Sequence, residues 1–128
     1  MRVMKKKRML FLFIAAVLLS LFIGLEIYGR YSMTGVASWY GKRFRGKKTA
    51  SGELFDSEKL TAAHRRFDLG ILVKVTNMKN NRAVIVKIND RGPYIPGRII
   101  DLSKAAAREL DMLEDGLTSV CLEIIKSE

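Results

Sequence analysis

Beyond residue 31 the chain alternates apolar and polar positions with a period of two, the pattern of half-buried strands. TGVASWYG (34–41) predicts a first strand. GILVKVTNMKNNRAVIVKIND (70–90) predicts two more, joined by a polar turn around Lys79 to Asn81. LTSVCLEII (117–125) predicts a closing strand, with Asp115-Gly116 as the turn signal before it. Helical spacing occurs in SKAAARELDML (103–113), where Ser103 is the expected N-cap and Ala106, Leu110 and Leu113 share a face. A second short helical turn is predicted in SEKLTAAH (57–64). Several short strands with Gly-containing connections and one or two short helices make a mainly β domain, a small barrel rather than an open sheet.

The first thirty residues follow a different rule. Residues 1–8, MRVMKKKR, carry five basic side chains and no acid, and they run into seventeen uncharged residues, Met9–Leu25. This is a basic end followed by an apolar segment at the short limit of a bilayer span. GLEIYGRYSMTG has no Ala-x-Ala cleavage pattern, and the sole cysteine, Cys121, is far from the position a lipid anchor would need. The expectation is an uncleaved transmembrane anchor over residues 1–30, basic end in the cytoplasm, and one exported domain over 31–128. A signal peptide cut at a weak site is the alternative.

Export changes the meaning of the charge. The chain's formal net charge is +10, and residues 31–128 hold 17 Lys and Arg against 12 Asp and Glu. A basic domain raises nucleic acid as a partner, but an exported one meets lipid headgroups and wall polymers instead. Cys121 sits in apolar alternation and is expected in the core. GKRFRGKKT (41–49) has phosphate-loop glycine spacing but places Lys48 where Ser or Thr is required, so that motif is rejected. One histidine, His64, with no thiolate neighbours does not make a metal site, and no metal or cofactor is expected.

The carboxylates remain. Asp90 ends VIVKIND and Asp101 follows RII, so each is expected at a strand end. Apolar flanks desolvate a carboxyl group and favour its acid form. The alternatives are an Asx turn before Pro93 for Asp90 and an ion pair with Arg98 for Asp101. Trp39, Tyr40 and Tyr94 offer aromatic faces for a sugar, with Arg91 as a further binding candidate, although Trp39 fits a core position equally well.

GVASWYG (35–41), TASGELFD (49–56), LTAAH (60–64), VKVTN (73–77), INDRGPY (88–94) and RIIDLSKAAA (98–107), in this order, resemble the rare lipoprotein A family over about residues 34–125. The resemblance implies a six-stranded double-psi β-barrel and an endolytic lytic transglycosylase. Such an enzyme cleaves peptidoglycan glycan between N-acetylmuramic acid and N-acetylglucosamine and leaves 1,6-anhydro ends. The family's polar cluster maps onto Glu53, His64 and Asp90. Related barrels, among them membrane-bound lytic transglycosylase A, family 45 cellulases and expansins, place an acidic proton donor where Asp101 stands. The implied mechanism makes Asp101 acid and then base, with Asp90 raising its pKa or stabilising the oxocarbenium ion, and His64 and Glu53 orienting; the two aspartates are interchangeable at this stage. The competing expectation is an expansin-like module that binds or loosens glycan without cutting it.

Overall fold

The basic end and the uncharged run after it form one helix, α1 (Arg2–Tyr28), uninterrupted by proline. The computed structural model describes residues 2–28, 32–41 and 46–125, with the side chains of 24–28 undescribed. The expected boundary between residues 30 and 31 therefore lies outside the described residues, as does much of the basic run at 41–48. Large apolar side chains from Val3 to Ile23 are exposed. Among the described residues no helix is long and apolar enough to cross a membrane. The described apolar side chains from Met9 to Ile23 occupy about 22 Å of helix, against about 30 Å of hydrocarbon.

The unit Ser32–Glu128 is built on six strands: β1 (Ser32–Trp39), β2 (Thr61–Ala63), β3 (Leu72–Asn77), β4 (Ala83–Asp90), β5 (Arg98–Leu102) and β6 (Thr118–Ile125). They close into a mixed barrel in the order β1-β5-β2-β4-β3-β6, which fits a double-psi barrel. The β1-β5 and β2-β4 pairs are parallel and the other four antiparallel. Alternate residues of β3, β4 and β6 point inward, so Val73, Val75, Val84, Val86, Ile88, Val120 and Leu122 fill the core together with Ile100 and Leu102.

Three expectations change. SEKLTAAH is not helical: its last half is β2, held in extended form by pairing with β4 on one side and β5 on the other. Helix α2 spans only Lys104–Glu109, capped as expected by Ser103, whose Oγ accepts from the Ala106 N–H at 3.2 Å. It stops early because Asp111 takes a left-handed conformation, φ 52°, that turns the chain so Met112 is buried. Cys121 is half-buried, since it alternates with the inward Val120 and Leu122.

One buried polar knot ties the barrel to the segment after α2. Asn77, 1% exposed, donates from Nδ2 to the Leu110 carbonyl at 2.8 Å, and its Oδ1 accepts from the Lys79 N–H and the Thr118 hydroxyl. Asn77→Ala strands the Lys79 N–H and the Thr118 hydroxyl, while the Leu110 carbonyl keeps the Asn80 Nδ2 donor at 3.0 Å. It is expected to cost about 2 kcal/mol in urea unfolding, and a loss below a few tenths would show that water replaces the amide.

Candidate active site

Two irregularities bring the acids to one face. On β4, alternation alone would send Asp90 inward with Val84, Val86 and Ile88. The register with β2 instead runs Ala62 to Ile88 and then Ala63 to Asp90, leaving Asn89 as an extra residue. Such a bulge re-aims the next side chain, so Asp90 joins the side of Ala63. On β5, Ile99 is the extra residue opposite β1, and Asp101 pairs with Ser38 of β1 and Ala63 of β2. Asp90, Ala63, Asp101 and Ser38 thus lie in one row across four neighbouring strands, and two strand spacings put about 10 Å between the aspartate Cα atoms.

Ser38 and Tyr40, two apart on one side of β1 and its continuation, each reach an aspartate. Ser38 Oγ donates to Asp101 Oδ1 at 3.1 Å, and Tyr40 Oη donates to Asp90 Oδ2 at 2.9 Å. The Tyr40 ring packs with Phe55, centroids 4.8 Å apart, and with the buried Ala63, a residue small enough to let the ring lie there. Asp90 Oδ1 accepts from the backbone N–H groups of Ala50 and Arg91, both at 2.9 Å. Burial first, then the hydrogen bond to Asp90 and the charges of Asp90 and Asp101, pushes the Tyr40 phenol far above its usual range and keeps it a donor.

A cleft of about 250 Å³ opens over Asp101, lined also by Ser38, Trp39, Tyr40, Tyr94 and Arg98. A second, of about 160 Å³, shares Trp39 and Tyr40 and extends to Glu58 and Lys104. Trp39 and Tyr94 line the cleft, and Trp39 also packs against the core. Tyr40 borders it but is 8% exposed, and its hydroxyl serves Asp90.

The other candidates are engaged elsewhere. Glu53 is exposed and held by Lys87 at 2.9 Å, which lowers its pKa. Arg91 donates to the carbonyls of His64 and Phe67 at 3.1 and 2.7 Å, fastening that turn. His64 is 3% exposed and stacked on Phe67 at 3.6 Å; its Nδ1 accepts from the Arg66 and Phe67 N–H groups. Burial, followed by the charges of Arg65, Arg91 and Arg66, lowers its pKa to about 4. Sequence reasoning missed Ser38 and the cleft-lining role of Arg98; the i, i+2 relation of Ser38 to Tyr40 was the available signal. Among the described residues no group of His, Cys, Asp and Glu is arranged to hold a metal.

A family model described as lytic transglycolase matches residues 32–122, all of the site and all of the barrel but the last three residues of β6. The chain belongs to the lytic transglycolase family. Over 91 residues it is 53% identical to an endolytic peptidoglycan transglycosylase RlpA of Campylobacter jejuni, covering 71% of this chain and 33% of that relative. Over 96 residues it is 51% identical to the protein so named in Pasteurella multocida, covering 75% of this chain and 33% of the relative. This family member thus spans about a third of the length of those curated relatives. Among solved structures it resembles the Streptomyces papain inhibitor, with TM-score 0.62 and 24% identity over 75% of this chain and 96% of the other. It also resembles an expansin of Clavibacter michiganensis, with TM-score 0.60 and 19% identity over 77% of this chain and 52% of the other. Both likenesses show the fold alone.

Proposed function

We propose that the chain is a peptidoglycan lytic transglycosylase that cuts the bond between N-acetylmuramic acid and N-acetylglucosamine and leaves 1,6-anhydro-muramic ends. The observation that carries this reading is the unequal setting of the two aspartates. Both oxygens of Asp90 accept from fixed donors, and an oxygen held that way has no proton to give. Asp101 lines the cleft. Asp101 as the acid protonates the glycosidic oxygen, which leaves with the bonding pair. The C6 hydroxyl of the same muramic residue then attacks the anomeric carbon, and the Asp101 carboxylate takes its proton. The ring closes without water, and Asp101 ends protonated again.

Asp90 supplies fixed negative charge beside the developing oxocarbenium ion, and Tyr40 acts through it as a positioning residue. Trp39 and Tyr94 offer ring faces to the sugars, and Arg98 adds hydrogen-bond donors. Glu53, His64 and Arg91 support the loops around Asp90. The expansin-like alternative has the same barrel, and the donor-clamped Asp90 beside a cleft-facing acid favours cleavage over binding alone.

The proposal extends to location: α1 is a single-pass anchor with the barrel on the extracytoplasmic side. The seventeen uncharged residues Met9–Leu25 and the basic end before them support it. Lys and Arg stems that reach toward headgroups lengthen a short apolar segment.

The test is to incubate the full chain, in neutral detergent, with purified peptidoglycan and look by mass spectrometry for anhydro-muramic ends. Their absence, with glycan still cosedimenting, would favour the binding module. Tyr40→Phe keeps the ring against Phe55 and removes only the hydroxyl. It is expected to slow release of anhydro ends roughly tenfold to a hundredfold while cosedimentation holds; an unchanged rate would remove Tyr40 from the mechanism.

A further inference from the structure

A crevice of about 120 Å³, lined by Met33, His64, Arg65, Arg66 and Ile99, shares no lining residue with the acid cleft. Its only buried polar side chain is His64. Because Nδ1 accepts two backbone N–H groups at 3.0 Å, the ring proton sits on Nε2. That N–H has no partner among the described residues, and stacking on Phe67 fixes the plane of the ring. Arg65 and Arg66 are exposed and, among the described residues, neither is paired with a carboxylate. Arg91 adds a third positive charge, its guanidinium held on the carbonyls of the same turn.

The crevice therefore gathers a rigid N–H and two cations, with Arg91 held on the same turn but outside the lining. Met33 and Ile99, its remaining lining, are uncharged. We propose that it binds a compact oxyanion, a phosphate monoester or a carboxylate, with His64 Nε2–H as the fixed donor and Arg65 and Arg66 as the flanking charges. Charge-assisted hydrogen bonds from such a set are the strong kind. No residue lining the acid cleft takes part, and the test below reads binding without the proposed reaction.

His64 is the chain's only histidine, so its imidazole NMR signals need no assignment. The full chain, ¹⁵N-labelled at histidine and held in neutral detergent, is titrated with inorganic phosphate at constant ionic strength. The Nε2 signal is expected to shift saturably. The imidazole midpoint is expected to rise from about 4 by roughly one unit, the effect of an adjacent negative charge. In the Arg65→Gln/Arg66→Gln chain the half-saturating phosphate concentration is expected to rise about tenfold. A linear drift without saturation, or unchanged saturation in the double variant, would overturn the site. Glycerol phosphate and acetate are titrated in parallel. Whichever saturates at lower concentration names the ligand class, and saturation by neither, despite a phosphate response, limits the site to the free ion.

Discussion

Asp101→Asn is expected to lower the release of anhydro-muramic ends by about 10³-fold, the scale of losing a positioned proton donor. The thermal midpoint should stay within a few degrees of that of the parent chain. The substitution is nearly isosteric, and the amide oxygen still accepts from Ser38 Oγ, now 3.1 Å from the carboxylate. Only the exchangeable proton is lost, along with the negative charge that later collects the C6 proton. Mass spectrometry of digested glycan reads the rate, and circular dichroism reads the fold. A variant that keeps a tenth or more of the activity would move the acid role away from Asp101. One that loses activity and unfolds together would make the residue a structural element of the β1-β5 pair.

The second large effect is acid lability originating at His64. The folded imidazole has a pKa of about 4, against an ordinary value of 6.5. Between those limits the unfolded chain binds more protons than the folded one, so stability falls as pH falls. The contribution is fully present above pH 6.5, declines toward pH 4 and is constant below it. A shift of this size corresponds to at most about 3 kcal/mol, reduced where solvent screens the ring. The physical cause is burial on Phe67 between guanidinium groups, where a charged ring is both desolvated and repelled. Urea unfolding at steps from pH 7 to pH 4 measures it, with His64→Gln as the reference whose slope lacks the term. Parallel slopes would mean that the imidazole protonates as freely folded as unfolded. Glu53, lowered by Lys87, acts in the same direction at lower pH, because its pairing is lost as the carboxylate protonates.

How much of this was legible in the sequence depended on whether a residue's partners were local. The β3-β4 hairpin could be read directly, because LVKVTN and AVIVKIND alternate cleanly and the turn between them is polar. β2 could not: two adjacent alanines carry no period, and its strand form comes from neighbours contributed by β4 and β5. Both aspartates were recognisable as strand-end acids. Their shared face was not, because it depends on Asn89 and Ile99 being skipped in the register, and two aliphatic-rich strands give no sign of a bulge. Tyr40 reads as a sugar platform until Asp90, fifty positions away, comes within hydrogen-bonding distance of its hydroxyl. His64 and Arg91 have the side-chain types of chemistry, yet each is absorbed by backbone groups of one turn.

The strand order has a mechanical consequence. Ser32, where β1 begins, pairs with Glu123 near the end of β6, whereas Ser38 and the acid row lie toward the other end of β1. β1 is eight residues long, about 23 Å from first to last Cα at strand rise. Ser32 and Ile125, the ends of β1 and β6, are therefore at the end of the barrel remote from the cleft. The barrel thus keeps the first residue of β1 and the last of β6 at one rim and the acid row at the other, a separation set by the length of a single strand.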